Sequence, residues 1–271
     1  MKDYEKIILS LEKEGKFNED VCKPNPKYYK IPDSNYNYLP NNIFFKFFSL
    51  IIRFIMFIFG PVVTYLMYHL KIKGRKNIKN IKTGAITICN HVSPIDSPLI
   101  VRQAMIGKSL YCTAAPTNNK KGFSGLILKA GGILPFPVFP STARKFNQTI
   151  KYLLEEKKAY VNFHPEHGYW IGYKKPRPLY RGAFYYAAKH NVPIIPTFIC
   201  YRNPNKIEKF FRRKKLITLI VEKPIYPNPN YSENENENYL MSEAKLIWDN
   251  IYKNFYKVDE ITYLCNQKKN Y

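Results

Sequence analysis

The sequence predicts an α/β fold: a largely parallel, helix-covered sheet preceded by an N-terminal membrane-docking helical segment. Three observations predict it. From Leu70 onward, short apolar runs alternate with longer helix-like runs. The short runs are apolar at nearly every position, as strands covered on both faces are. One long apolar block, "NNIFFKFFSLIIRFIMFIFGPVVTYLMYHL" (Asn41 to Leu70), stands ahead of the first strand.

Residues 1–41 read as a polar arm. It opens with a short amphipathic stretch, "YEKIILSLEKEG", and continues rich in Pro, Asn and Tyr without periodicity, so no chemistry is assigned to it. Residues 42–70 read as a membrane-associated helical hairpin. A polar arm precedes the block and no small-residue cleavage site follows, which excludes a signal peptide. Lys46 and Arg53 interrupt it, and Gly60-Pro61 is expected to break it. The piece from Asn42 to Phe59 would be about 27 Å long, short of a roughly 30 Å hydrocarbon core. Lys46, Ser49 and Arg53 fall on one narrow stripe, so the expectation is a monotopic segment with its bases at the headgroups. A simple span and a buried core helix are the other readings. The bases that follow, Lys71, Lys73, Arg75, Lys76, Lys79 and Lys82, put the main domain on the cytoplasmic face.

Residues 71–271 form the α/β domain in this reading. Its strand-like runs are "LKIKG", "AITICN", "LYCTAA", "GGILPF", "AYVNF", "PIIPTFI" and "LITLIVE". Helices are expected from Pro94 to about Ile106, Lys120 to Lys129, Ser141 to Lys157, Arg181 to His190 and Tyr239 to Tyr256. "NPNYSENENEN" reads as a polar loop of low complexity. No internal repeat and no second domain boundary is visible.

The formal charge is +23, from 43 Lys and Arg against 20 acids. The arm is neutral, and the excess lies from Lys71 onward. Such a field favours anionic partners: an anionic membrane surface, phosphorylated substrates or nucleic acid. Five scattered cysteines, none in a C-x-x-C pair, predict reduced thiols and neither a disulfide framework nor a thiolate metal site.

"ICNHVSPIDSPLI" (Ile88 to Ile100) carries the chemistry. His91 and Asp96 stand five positions apart. On a continuous helix they would lie about 140° apart, on different faces. Instead, "AITICN" reads as a buried strand, Ser93 as an N-cap and Pro94 as the first helical residue. A strand–turn–helix then points the Asp96 carboxylate back toward His91. A carboxylate on one ring nitrogen fixes the tautomer and leaves the other nitrogen as a base. Ser-x-x-Asp is also close to a capping box, and on that reading Asp96 only caps the helix. The place at the carboxyl end of a buried strand favours a site.

"NHVSPID" resembles the Asn-His-x-x-x-x-Asp motif of the glycerolipid acyltransferase family, which includes the 1-acyl-glycerol-3-phosphate acyltransferases. "GGILPFP" resembles the family's second block, "FHPEHGYW" its Phe-Pro-Glu-Gly block and "VPIIPTFI" its apolar fourth block, all in the family's order. The resemblance covers roughly Leu70 to Glu222. It implies acyl transfer to a lipid hydroxyl, with His91 as general base and Asp96 orienting it. The acyl donor would be acyl-CoA or acyl carrier protein, the acceptor a lysophospholipid, with no cofactor and no metal. The arginine expected after the second block's glycine is absent, with Arg144 the nearest candidate. The third block lacks its arginine too, and Arg177 or Arg181 of "YKKPRPLYRG" could supply that charge. On this resemblance Asn90, Arg144, Pro165, Glu166, Gly168, Arg177 and Arg181 are the substrate-binding residues, with the arginines on the acceptor phosphate.

The sequence offers three other readings. "HPEH" offers His164 and His167 as metal ligands, but Pro165 disrupts the helix that such a pair needs, and a third ligand is not evident. "NKIEKFFRRKKL" (Asn205 to Leu216) interleaves bases with Phe210 and Phe211, as nucleic-acid-binding surfaces do. No known nucleic-acid motif accompanies it, and anionic lipid suits both it and the apolar block, so nucleic acid is not expected as a partner. A non-enzymatic membrane tether is the third class.

Overall fold

A computed structural model describes residues 2–22, 24–204, 206–211 and 216–269. Helix α1 spans Lys2–Glu14 and helix α2 spans Ile43–Tyr68. The strands are β1 (Lys71–Lys73), β2 (Ala85–Ile88), β3 (Leu110–Ala114), β4 (Ile133–Pro135), β5 (Tyr160–Phe163), β6 (Ile194–Arg202) and β7 (Leu216–Val221). The helices between and after them are α3 (Arg102–Ala104), α4 (Gly122–Ala130), α5 (Pro140–Lys151), α6 (Gly182–Lys189), α7 (Lys206–Phe211) and α8 (Glu233–Tyr256).

The strands form one sheet in the order β1-β7-β6-β2-β5-β3-β4. Every neighbouring pair is parallel except β6 with β7. The predicted largely parallel α/β sheet is therefore present, with β1 and β7 running against the rest. Alternation along the strands sorts the core into two layers. Ile86, Ile88, Val161, Phe163 and Phe198 face α5, α6 and α8. Ala85, Cys89, Leu110, Tyr160 and Ile199 face the other way, toward α1 and the segment Ile95–Met105. Thr87 and Asn162 occupy inward positions of that second layer, a polar pair among buried aliphatics. All five cysteines are free thiols.

Five expectations are corrected. The apolar block is no hairpin: α2 runs unbroken for 26 residues through Pro61. Thr64 Oγ1 donates to Gly60 O at 3.0 Å in that turn, and Gly60 packs on Leu99, where tertiary contact holds the helix together. Arg53 does not reach outward to headgroups. Its Nε donates to Ala130 O at 3.2 Å, at the end of α4, and its guanidinium lies 4.3 Å from the Tyr111 ring centre. Ser49 Oγ donates to the same carbonyl at 2.7 Å. Two donors on the open carbonyls of a helix C-terminus are favourable there. The opposite side of α2 is exposed and apolar, from Ile43 and Phe44 (84% exposed) to Leu66.

The helix expected from Pro94 starts instead with a wide π-type turn over Asp96–Val101 that leads into α3. The low-complexity tract is a loop only over its first five residues: α8 begins at Glu233, six residues early, because Ser232 and Glu235 form a complete capping box. The N-terminal arm is integral to the domain, with Ile8, Leu11 and Val21 buried in the second layer. In the basic aromatic stretch, Arg202 pairs with Glu208 of α7 at 2.6 and 2.7 Å. Asn205 and residues 212–215 of that stretch lie outside the described residues.

Candidate active site

The site is built on the end of β2. Asn90 extends the strand with its side chain: Ile199 N donates to Oδ1 at 2.7 Å and Nδ2 donates to Ile199 O at 3.1 Å. The chain then turns. Trp170 N donates to His91 O at 3.0 Å and Gly172 N to Val92 O at 2.9 Å, so the loop after β5 clamps the turn from outside. Tyr201 Oη donates to Val92 O at 2.8 Å from β6.

Asp96, the first residue of the wide turn, is buried beneath this loop. Its Oδ2 lies 2.8 Å from His91 Nδ1 and accepts from Val92 N at 3.2 Å. Its Oδ1 accepts from Ser97 N at 2.7 Å and lies 3.3 Å from His164 Nε2. One carboxylate thus joins two histidines. Their rings stack 4.0 Å apart, 13° from parallel, and Tyr169 covers His91 on a centroid distance of 4.8 Å. The His91 side chain keeps 27% of its surface exposed, and its Nε2 has no protein hydrogen-bond partner among the described residues. Burial opposes ionisation of Asp96, but the two histidines outweigh it and hold the carboxyl far below the usual range. Burial and the neighbouring His164 push His91 below the ordinary histidine value. At His164, burial acts downward, but Asp96 outweighs it and the value rises.

A second buried pair supports the turn from behind. Glu166 Oε2 accepts from His91 N at 3.2 Å and from Arg177 Nη2 at 2.7 Å, while Oε1 accepts from Arg177 N at 2.8 Å. Arg177 also donates to Gly168 O at 2.6 Å and to Phe17 O at 2.9 Å. The arm closes the back of this support: Trp170 Nε1 donates to Glu19 O at 2.7 Å, and Tyr169 N to Asp20 Oδ1 at 2.6 Å.

The structure brings His91 and Asp96 together and sets Asn90, Pro165, Glu166, Gly168 and Arg177 around them. These five are all buried, however, and their polar groups face the protein. Arg177 has no exposed surface, so the guanidinium that was expected on a substrate phosphate is committed to Glu166, Gly168 and Phe17 instead. The cause is its place under the loop, which the arm then covers. Arg181 caps α6 and pairs with Glu237 of α8, over the other layer. Arg144 is exposed on α5, off the stripe of Thr142, Phe146 and Ile150 that α5 buries. Neither arginine joins the His91 cluster.

Sequence reasoning missed the groups below Asp96. Thr87 Oγ1 donates to Asn162 Oδ1 and Asn162 Nδ2 to Ser97 Oγ, each at 2.7 Å. Ser97 Oγ in turn touches His164 Nε2. The signal was there: a Thr and an Asn in otherwise apolar strands, on adjacent strands in register. Tyr169 and the arm carried no such signal.

His91, Asp96 and His164 each place a possible ligand atom within 4.8 Å of the others. A metal would need these lone pairs aimed at a common point. Here they face one another across hydrogen bonds, the geometry of a shared proton network. The expected alternative partner, His167, stacks on Tyr180 at 4.1 Å, away from this cluster.

Residues 69–200 match the family model described as Acyltransferase, and the segment contains His91, Asp96, His164, Glu166 and Arg177. Over this segment, a little under half of its length, the chain is similar to the acyltransferase family. Among solved structures it is similar to the 1-acyl-sn-glycerophosphate (LPA) acyltransferase PlsC from Thermotoga maritima. The TM-score is 0.55 at 16% identity, over 81% of this chain and 89% of that one. At that identity the likeness is one of fold. The comparison with curated proteins found no match.

Proposed function

We propose that this protein moves a fatty acyl group from an acyl thioester, acyl-CoA or acyl carrier protein, to the free hydroxyl of a lysophospholipid. The acceptor is 1-acyl-glycerol-3-phosphate and the product phosphatidic acid. One observation carries the reading: His91 is held by Asp96 at 2.8 Å through Nδ1, with Nε2 left unpartnered on the exposed side.

In this mechanism His91 Nε2 takes the proton of the acceptor hydroxyl. The oxygen attacks the thioester carbonyl, and the tetrahedral intermediate expels the thiolate, which takes the proton back from His91. Asp96 holds the tautomer and stabilises the imidazolium while it lasts. Attack is direct. The nearest thiol, Cys89, is wholly buried and burial pushes it well above the ordinary value, which suits a core residue and not a nucleophile. Glu166 and Arg177 act as a buried brace for the His91 turn. Phosphate recognition falls to cations outside the His91 cluster, with the exposed Arg144 and the Glu237-paired Arg181 as the candidates.

The exposed apolar side of α2 docks the protein on a membrane, where the acceptor resides. Ser49, Arg53, Gly60 and Thr64 tie the helix to the domain along its length, which suits a segment lying in the interface, on the cytoplasmic face. The excess positive charge adds attraction to anionic lipid.

The test is direct. Purified full-length protein in detergent is incubated with a panel of lysolipids and glycerol 3-phosphate, with each donor, and products are identified by mass. Formation of phosphatidic acid from 1-acyl-glycerol-3-phosphate is expected. Transfer to another lysolipid alone would replace the acceptor, and no transfer to any acceptor would refute the reading.

A further inference from the structure

We infer that His164 is a positioning residue for the His91 base, holding the second oxygen of Asp96 and carrying a positive charge that keeps His91 neutral between proton transfers. The inference rests on the acyl-transfer reading for its consequence, and on geometry for its substance.

The geometry assigns protons. His164 Nδ1 lies 2.7 Å from Cys89 O, which can only accept, so Nδ1 carries a hydrogen. Its Nε2 lies 3.3 Å from Asp96 Oδ1. A lone pair there would be met by the Ser97 hydroxyl but would also face a carboxylate oxygen, whereas a proton makes an ion pair with Asp96 and can be accepted by Ser97 Oγ as well. His164 is thereby drawn to the imidazolium form, consistent with its raised pKa. The Thr87–Asn162–Ser97 chain fixes this ring from below, since Ser97 Oγ already accepts from Asn162 at 2.7 Å and also meets Nε2. In the third block, Pro165-Glu166 is preceded by His164, at the place where the resembling block carries Phe.

The consequence falls on His91. Its ring is face to face with His164 at 4.0 Å, and both draw on one carboxylate. A second positive charge at that distance is opposed. The other groups facing His91 leave this balance in place. Glu166 and Arg177 form a neutral pair, and burial keeps the Tyr169 and Tyr201 phenols and the Cys89 thiol in their neutral forms. His91 therefore rests with a proton on Nδ1 and a lone pair on Nε2. It accepts the hydroxyl proton as the new C–O bond forms, and gives it to the sulfur as the C–S bond breaks. A histidine with a low affinity for its proton releases it readily in the second step.

The sign of the pH effect follows. Transfer needs neutral His91, so kcat/KM falls as pH drops through the His91 pKa. Removing His164 raises that pKa, and the acid limb moves to higher pH.

The experiment is a titration of full-length, ring-labelled protein in detergent, followed by NMR of the histidine rings. Wild type, His164→Gln and His164→Phe are compared, with His91→Gln used for assignment. In wild type His164 should titrate above His91, the pair showing two coupled steps. In both variants His91 should titrate about one pH unit higher, and the acid limb of kcat/KM should move with it. A merely structural His164 would lower the melting temperature and kcat at every pH without moving the limb. An unmoved His91 titration, or a wild-type His164 that titrates below His91, overturns the inference. The wild-type order of titration decides even if a variant fails to fold. Absence of transfer in all proteins would refute the acyl-transfer reading and leave the NMR result standing.

Discussion

Arg177 Nη2 donates to Glu166 Oε2 at 2.7 Å, and both side chains are sealed from solvent. The same carboxylate oxygen accepts from the His91 amide at 3.2 Å. An arginine that the motif suggested for substrate is therefore a strut under the base. Breaking one partner of such a pair leaves the other charge buried and costs about 3–5 kcal/mol. Arg177→Ala should lower the melting temperature sharply and reduce turnover on phosphate-bearing and neutral acceptors alike. Arg144→Ala and Arg181→Ala should instead lose roughly tenfold to a hundredfold in kcat/KM on phosphate acceptors only. Equal losses on both acceptor types would remove Arg144 and Arg181 from phosphate recognition.

His91→Ala should keep its fold and lose transfer by about 10²–10⁴-fold. Asp96→Asn should also lose most of its activity, because an amide offers a hydrogen to Nδ1 and selects the wrong tautomer. Thermal melts run beside the turnover assays separate chemistry from folding. Near-normal turnover by a well-folded His91→Ala protein would end the proposed mechanism.

Gly168 is a close-approach position. A Cβ placed on it would meet Glu19 O at 2.4 Å, and that oxygen belongs to the arm backbone. Gly168→Ala should push residues 18–20 away, at about 1–3 kcal/mol. Trp170 Nε1, which donates to Glu19 O at 2.7 Å, would lose its acceptor. Faster limited proteolysis within the arm, with a shift in tryptophan fluorescence, is the expected readout. A variant indistinguishable from wild type would show that the arm does not brace this loop.

Helix α2 is long and apolar enough to cross a membrane by length and composition. Its ties to Ala130 and Gln103 nevertheless fix it against the domain, through Ser49 at 2.7 Å and Thr64 at 2.7 Å. Cysteine labels placed at Asn42 and at Leu70 should therefore react from the same side of sealed vesicles. Deleting residues 1–70 should leave a protein that binds vesicles weakly and transfers poorly. Labelling from opposite sides would establish a span.

The sequence by itself determined the alternation of buried strands and helices, because a strand covered on both faces must be apolar throughout. It also indicated the turn at His91: a strand ending in Asn90, then Ser-Pro, reads as a break before a helix, and the structure decided between a helix cap and a carboxylate folded back on His91 in favour of the second. Local rules were enough for these because the interacting groups are close in the chain. Where the outcome depended on partners far away, only the tertiary structure decided it. Gly60-Pro61 reads as a break, yet α2 continues because Gly60 packs on Leu99 and Thr64 bonds to Gln103. Arg53 reads as a headgroup base, yet the carbonyl end of α4 holds it. Arg177 reads as a free cation, and Glu166 and Phe17 enclose it. His164 reads at most as a metal ligand paired with His167; the register of β5 against β2, and the Ser97 that follows Asp96, bring it onto the same carboxylate as His91. A charge is free or committed according to what the fold places against it, and pattern along the chain carries no record of contacts that span 11 to 160 positions.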